Sequence, residues 1–159
     1  MTLEEKIGER LSKGSLTVGL AESCTGGLVA ERLTRVPGAS DYFEVGVVTY
    51  SNRSKTRLIA VPQEVIAENG AVSAIVAEFM ARGVREMGAV DIGLSITGIA
   101  GPSGGSPEKP VGTVFMGLAT EKGVYAKKLS LAGSRQEIRY QASEEALLML
   151  LDYLEGRPL

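Results

Sequence analysis

The chain has 159 residues and a mass of 16.7 kDa, the size of one ordinary domain. Hydrophobic residues make up 44% and charged residues 23%, and the net charge is −2, which excludes a disordered chain and a strongly basic nucleic-acid or membrane-surface protein. A single cysteine excludes an intrachain disulfide framework, and the absence of histidine excludes His-based triads, His general bases and His-containing metal sites.

The first half of the chain alternates helical patterns with short apolar strands. Thr2 and Glu5 have capping-box spacing, which predicts a helix over Thr2–Lys13. The continuous apolar run Leu16–Ala21 predicts a strand buried on both faces. The next predicted elements are a helix over residues 28–36, a strand over Val45–Tyr50, helices over Lys55–Ala60 and from Pro62 to Asn69, and a long helix over Ser73–Met87.

The second half contains one long irregular segment between strands. Asp91–Thr97 predicts a third buried strand, and the thirteen residues that follow, Gly98–Pro110, include four glycines and three prolines, which predicts a loop. Strands over Val111–Thr120 and Val124–Leu131 then form a hairpin. The chain ends with a helix from the capping box at Ser134 to about residue 155.

This order of elements predicts an α/β protein. Helices between apolar strands imply a sheet covered on both faces, and the late hairpin makes the sheet mixed. We therefore expect a three-layer α/β/α sandwich with a mixed, mostly parallel sheet of about five to six strands. The expected organisation is a single domain over residues 1–159, with an N-terminal helix at 1–14 and a core at 15–155. No apolar run is long enough to span a membrane, and the charged start lacks the apolar region of a signal peptide, so we expect a cytoplasmic protein.

Three polar segments rich in small residues follow the first three strands directly. They are Glu22–Gly27, Tyr50–Lys55 and Gly98–Pro110. Because ligands of open α/β sheets bind at the carboxyl ends of the strands, parallel strands would bring these segments to one edge of the sheet. The sequence thus predicts one shared site, although each segment alone also fits an ordinary turn or helix start.

Two residues compete as nucleophile in the first segment. Cys24 is the better intrinsic nucleophile, but a lone cysteine beside a strand is more often a buried core residue. Ser23 needs a base, and without histidine the remaining strong candidate is a lysine kept neutral by burial. Lys55 in the second segment, close to Tyr50 in sequence, meets this description, although it also fits a solvated lysine at a helix start.

Anion binding is the second chemistry that the loops suggest. Successive backbone N–H groups of the glycine-rich loop could form a nest for a phosphate or carboxylate, although the Walker A and GxGxxG patterns are absent. Arg135 and Arg139 lie four residues apart on one helix face and could bind a phosphate, or could be solvated. The carboxylates show no clustered spacing in these loops, so we expect no metal site.

Four segments of the chain resemble the CinA C-terminal-domain family, which includes standalone nicotinamide-nucleotide amidases, also called NMN deamidases. The resemblance spans roughly residues 16–151. The matching segments are AESCTGG (Ala21–Gly27), VVTYSNRSK (Val47–Lys55), GAVS (Gly70–Ser73) and TGIAGPSGGSPEKPVGTV (Thr97–Val114).

The resemblance implies hydrolysis of the carboxamide of nicotinamide mononucleotide (NMN) to nicotinate mononucleotide and ammonia, in pyridine nucleotide salvage. The family's catalytic serine, tyrosine and lysine fall on Ser23, Tyr50 and Lys55, and no cofactor is implied. Arg139, in the stretch Arg139-Tyr140-Gln141-Ala142, aligns with a family arginine and is expected to contact phosphate or substrate. The full set of expected substrate contacts is Thr25, Gly26, Gly27, Asn52, Thr97, Gly98, Gly101, Gly104, Gly105 and Arg139.

Other functions stay open at this point. Many relatives carry an additional N-terminal domain associated with ADP-ribose pyrophosphatase activity, which we do not expect here. A non-catalytic nucleotide-binding regulatory module, in keeping with the family's competence and damage-inducible label, would need the glycine loop and the arginines but no Ser/Lys pair. A cysteine hydrolase would use Cys24. The resemblance also implies a homo-oligomer, with the N-terminal helix as a contact, and the composition implies neither nucleic-acid nor membrane partners.

Overall fold

The computed structural model describes residues 1–159 as six α-helices, one 3-10 helix and five strands. The strands are β1 (Val18–Glu22), β2 (Phe43–Val48), β3 (Ile92–Gly98), β4 (Thr113–Thr120) and β5 (Gly123–Ser130). The helices are α1 (Leu3–Gly14), α2 (Leu28–Thr34), α3 (Asn52–Ile59), α4 (Gln63–Asn69), α5 (Ala74–Gly88) and α6 (Arg135–Leu154), with the 3-10 turn at Ala39–Asp41.

The five strands form one mixed sheet in the order β2-β1-β3-β4-β5. Strand β1 pairs in parallel with β2 and β3, whereas β4 is antiparallel to both β3 and β5. The mixed sheet is confirmed, and β4 alone runs against the other strands. Because β1, β2 and β3 are parallel, their carboxyl ends lie at one edge of the sheet.

Helices cover both faces of this sheet, as the apolar strands predict. The larger core joins 23 buried residues, including Ile7 of α1, Val29 of α2 and Ile138 of α6. The smaller core joins seven buried residues from α3, α4, α5, the sheet and the connection between α3 and α4. Leu20 belongs to the larger core and the adjacent Ala21 to the smaller one, because successive side chains of a strand point to opposite faces. The three-layer α/β/α architecture is therefore confirmed.

Several element boundaries differ from the predicted ones. Strand β2 covers Phe43–Val48, two residues before the predicted Val45–Tyr50, and β4 begins at Thr113. Helix α3 begins three residues before Lys55 because the Ser51 side chain accepts a hydrogen bond from the Ser54 backbone N–H and caps the helix. Lys55 consequently lies in the first helical turns.

The accessible surface of the protein is 7644 Å². A folded chain of this mass is expected to expose about 7,600 Å². None of its helices combines the length and the apolar character required to cross a membrane.

Helix α5 lies close to the sheet because two strand positions facing it carry glycine. A Cβ atom added at Gly93 of β3 would collide with the backbone carbonyl oxygen of Ala81, and one at Gly117 of β4 with that of Ala77. The Ser95 hydroxyl donates a 2.6 Å hydrogen bond to the same Ala77 carbonyl. This close approach fixes the height of α5 above β3 and β4.

Replacing Gly93 by alanine should therefore push α5 away from the sheet. We expect overpacking to cost about 1–3 kcal/mol, which corresponds to a fall in Tm of about 3–10 °C for a domain of this size. Gly14→Ala is the matched control, since its Cβ would meet only the flexible Leu16 side chain. Equal Tm values for the two variants in thermal denaturation would contradict this packing account.

Candidate active site

The three polar segments meet at the carboxyl edge of the parallel strands, around a cavity of about 270 Å³. Ser23 and Cys24 come from the β1–α2 loop, and Tyr50, Asn52 and Lys55 come from the end of β2 and the start of α3. The convergence predicted from the sequence is confirmed. The other lining residues are Ala71, Val72, Thr97, Gly98, Ile99, Ala100, Gly101, Ser103, Gly104 and Arg135.

Ser23 lies in a tight turn immediately after β1. Its backbone N–H donates to the Ile96 carbonyl of β3 at 2.9 Å, and its own carbonyl accepts from the Gly26 N–H at 3.0 Å. Gly26 and Gly27 have φ values of +59° and +106°, a backbone conformation that glycine adopts without steric cost. The turn holds the Ser23 side chain at the cavity wall.

The buried carboxylate of Glu22 anchors the start of α2. It accepts hydrogen bonds from the Thr25 hydroxyl at 2.6 Å and from the backbone N–H groups of Val29 and Ala30 at 2.9 and 3.0 Å. These helix N–H groups are thus occupied by a side chain of the protein. An anion at this loop would have to be bound by the N–H groups that precede the helix.

Lys55 is the largest fully buried side chain of the protein, with 1% of its surface exposed. Its Nζ donates to Ser23 Oγ at 3.1 Å and to the Thr49 backbone carbonyl at 2.8 Å. No carboxylate forms an ion pair with it. Because burial disfavours the charged amine and no acid compensates, the pKa of Lys55 is lowered to about 8. A substantial fraction of the amine is therefore neutral near physiological pH and able to accept a proton from Ser23.

Cys24 is poorly suited to act as the nucleophile. Burial raises the pKa of its thiol to about 11, and its Sγ packs against Gly98 within the larger core. A protonated, buried thiol is a poor nucleophile. The structure thus favours Ser23 over Cys24 as the nucleophile, and the lysine amine forms its side-chain hydrogen bond with Ser23.

Tyr50 lies at the mouth of the cavity, and 59% of its surface is exposed. Its hydroxyl accepts a 3.0 Å hydrogen bond from Arg135 Nη2, and Arg135 Nη1 donates to the Gly101 carbonyl at 2.7 Å. Arg135 thereby joins two walls of the cavity. Since the Tyr50 hydroxyl forms no hydrogen bond with Lys55 or Ser23, its participation in proton transfer stays a prediction.

The two arginines of α6 occupy different environments. Arg135 lines the cavity, and both of its hydrogen bonds go to uncharged acceptors. Arg139 does not line the cavity; its guanidinium donates to the backbone carbonyls of Cys24 and Thr25 at 3.0 and 2.8 Å, and to the Gln136 side chain at 2.8 Å. The positive charge at the cavity mouth is therefore that of Arg135.

The predicted substrate contacts fall into two groups. Five of them line the cavity, and the Thr97 hydroxyl there donates to the Ala71 carbonyl at 3.0 Å. Sequence reasoning missed Thr49 as a partner of the lysine, and it selected Arg139 as the substrate contact, whereas the arginine that lines the cavity is Arg135. The lining residues are Asn52, Thr97, Gly98, Gly101 and Gly104, whereas Thr25, Gly26, Gly27, Gly105 and Arg139 lie outside the lining.

The burial of Lys55 predicts a specific pH dependence of stability. The folded-state pKa of about 8 lies below the unfolded value, so between these two values the unfolded chain binds a proton that the folded chain does not. The unfolding free energy of the wild type should therefore rise with pH across this window, relative to that of Lys55→Met, by up to about 3 kcal/mol. Urea denaturation at pH 7 and pH 10 measures the difference.

Lys13→Met, at an exposed position of α1, is the control and should show no such trend. A difference between Lys55→Met and the wild type that does not change between pH 7 and pH 10 would show that Lys55 keeps an ordinary pKa.

Comparison with known proteins agrees with this architecture. Residues 1–154 match the profile of the CinA C-terminal domain. The chain is 51% identical over 158 residues to a CinA-like protein of Geobacter metallireducens and 49% identical over 158 residues to one of Geotalea uraniireducens. These matches cover 99% of the chain but 37% of the length of each of these curated relatives.

Solved structures give the same result for the fold. The competence/damage inducible protein CihA of Agrobacterium tumefaciens superposes with a TM-score of 0.90 at 37% identity, covering 96% of this chain and 95% of that chain. A competence-damaged protein (CinA) superfamily protein of Escherichia coli superposes with a TM-score of 0.91 at 32% identity, covering 96% and 90% of the two chains. The match of the profile over nearly all residues shows that this chain belongs to the CinA C-terminal domain family.

Proposed function

We propose that the protein is a serine amidase that hydrolyses the carboxamide of NMN to nicotinate mononucleotide and ammonia. The observation that carries this proposal is the 3.1 Å contact between Lys55 Nζ and Ser23 Oγ, made by a buried lysine with no acidic partner. A serine beside a neutral lysine is an established arrangement for nucleophilic catalysis without histidine. The membership of the CinA C-terminal domain family supports the choice of substrate.

In the first half of the reaction, Ser23 is acylated. The neutral Lys55 amine takes the hydroxyl proton while Ser23 Oγ forms a bond to the carboxamide carbon, and the carbonyl electrons move onto its oxygen. As the tetrahedral intermediate collapses, the C–N bond breaks and Lys55 returns the proton to the leaving nitrogen. Ammonia departs and the nicotinoyl group remains as an ester on Ser23.

In the second half, water releases the product. Lys55 removes a proton from water as its oxygen attacks the ester carbon, and then delivers that proton to Ser23 Oγ as the C–O bond to serine breaks. The product is nicotinate mononucleotide, and Ser23 and Lys55 return to their starting protonation states. The Thr49 carbonyl, which accepts from Lys55 Nζ at 2.8 Å, keeps the amine directed toward Ser23 throughout.

The cavity also fits the charge of the proposed substrate. Arg135 lines the same cavity as Ser23 and has no acidic partner, which suits it to bind the phosphate of a nucleotide whose carboxamide lies at Ser23. Ile99 and Ala100 supply apolar wall for a pyridine ring, and the exposed ring of Tyr50 offers a face to the cationic form of that ring. These contacts favour a small anionic nucleotide as ligand.

The reaction can be tested by ammonia release from NMN in the presence of EDTA. Ser23→Ala and Lys55→Met should each lower kcat at least about 1,000-fold, because one removes the nucleophile and the other the base. Cys24→Ala is the matched control at the adjacent position and should retain activity within about threefold. Loss of turnover in Cys24→Ala, with Ser23→Ala still active, would assign the chemistry to the cysteine.

An inactive wild type that still binds NMN would instead support the nucleotide-binding regulatory module. Calorimetric titration of NMN into the same wild-type and Ser23→Ala preparations distinguishes that outcome.

The rate should also depend on pH through Lys55. With a pKa of about 8, the neutral base becomes more abundant as the pH rises, so kcat/KM should increase about tenfold per pH unit below 8 and level off above it. Steady-state kinetics from pH 6 to 9.5 measure this profile. A constant rate over that range would be incompatible with a lysine base.

A further inference from the structure

The backbone N–H groups of Cys24 and Thr25 have no hydrogen-bond acceptor within the protein. Both residues are nonetheless buried, with 6% and 0% of their surfaces exposed. Buried backbone N–H groups without a partner are rare in folded proteins and require an explanation. Of the two residues, Cys24 directly follows Ser23 and lines the cavity, whereas Thr25 does not line it. An N–H just after the nucleophile is where other serine hydrolases stabilise the oxyanion.

The directions of these N–H groups are fixed through the carbonyl groups of the same peptide units. In a trans peptide the N–H points opposite to the C=O, so holding a carbonyl determines where the next residue's N–H points. The Ser23 carbonyl accepts from the Gly26 N–H at 3.0 Å, which orients the N–H of Cys24. The Cys24 carbonyl accepts from Arg139 Nε at 3.0 Å, which orients the N–H of Thr25.

Arg139 also holds the next peptide unit. Its Nη2 donates to the Thr25 carbonyl at 2.8 Å, so one guanidinium group spans two consecutive carbonyls of the loop. Its third nitrogen, Nη1, is held by the Gln136 side chain at 2.8 Å. All three guanidinium nitrogens therefore form hydrogen bonds with the loop or with Gln136, and Arg139 does not line the cavity.

We propose that the N–H group of Cys24, which lines the cavity beside Ser23, is a donor of the oxyanion hole, and that Arg139 is the positioning residue that holds the loop carrying it. This inference rests on the proposed function, because an oxyanion develops only if Ser23 attacks a carbonyl carbon. It replaces the expected contact of Arg139 with phosphate or substrate by a role within the protein. The cationic guanidinium also polarises the Thr25–Gly26 peptide unit, whose N–H donates to the Ser23 carbonyl. Because that carbonyl shares a peptide unit with the Cys24 N–H, this chain of hydrogen bonds strengthens the Cys24 N–H as a donor.

The role predicts a particular kinetic signature for Arg139→Ala with NMN as substrate. We expect kcat to fall about 100-fold or more with KM within about threefold, as when a single oxyanion-hole donor is lost. Added guanidinium ion should raise the kcat of Arg139→Ala at least about tenfold, because it can occupy the position left by the side chain. Arg139→Lys keeps the positive charge but cannot donate to both carbonyls at once, so it should also lower kcat at unchanged KM. This variant replaces Arg139→Ala in the test if Arg139→Ala does not fold.

Arg85→Ala is the matched control. Arg85 also donates from its Nε to a backbone carbonyl, that of Asp91 at 2.9 Å, but just before β3, at the opposite end of that strand from the cavity. Its loss should leave both kcat and KM within about twofold and should show no response to guanidinium. A rise in KM for folded Arg139 variants at unchanged kcat would overturn the proposal and assign Arg139 to the substrate phosphate.

A second readout separates this inference from the choice of substrate. A fluorophosphonate probe reacts with an activated serine through the same oxyanion hole, and Ser23→Ala identifies the labelled residue. We expect the wild type to be labelled at Ser23 and Arg139→Ala to be labelled at least about 30-fold more slowly. Labelling without NMN hydrolysis would refute the proposed substrate only, whereas equal labelling rates, or no labelling of Ser23 in the wild type, would refute the oxyanion hole.

Discussion

The proposed chemistry depends on the burial of one lysine amine without an acidic partner. Lys55 has 1% of its surface exposed, and its amine finds only the Ser23 hydroxyl and the Thr49 carbonyl. A nearby carboxylate would favour the charged ammonium, which cannot accept a proton from serine. Two neutral acceptors instead satisfy the hydrogen bonds of the amine while leaving its basicity lowered. Such an arrangement costs stability, which functional sites commonly accept in exchange for reactivity.

The fold supports this lysine from several directions. The Ser51 cap starts α3 early enough to direct Lys55 inward, and the parallel pairing of β1 with β2 brings the ends of both strands together. The Thr49 N–H donates to the Glu22 carbonyl at 2.8 Å, so the segment that carries the lysine's acceptor is tied to the strand that carries Ser23. The Glu22 side chain in turn holds α2 and the turn before it. The two loops of the Ser/Lys pair are thereby joined at their bases.

Local sequence patterns were sufficient for the architecture and for the location of the cavity. The continuous apolar character of β1 and β3 indicated strands buried on both faces, and the polar segments after them indicated the edge where the site lies. The boundary of β2 was less accessible, because its burial alternates along an edge strand and its last predicted residues, Thr49 and Tyr50, already leave the sheet.

The different contacts of Arg135 and Arg139 could not be predicted from the sequence. The two residues are one helical turn apart and share a face, and only the tertiary structure separates them. Arg139 meets carbonyl groups more than 110 residues away in the chain, whereas Arg135 meets Tyr50 and Gly101. The role of Glu22 was hidden for the same reason, since nothing in a local pattern shows that a buried carboxylate will turn back to cap the helix that follows it.

The central claim, a neutral lysine beside the nucleophile, is tested most directly by NMR titration of the protein labelled with ¹³C at the lysine ε-carbons. Comparison with Lys55→Met identifies the Lys55 resonance. The structure predicts that this resonance titrates with a pKa of about 8, below the value of about 10.4 for a lysine in a model peptide. A Lys55 resonance that titrates at the model-peptide value would mean that almost no neutral amine is available near physiological pH, and would contradict the account.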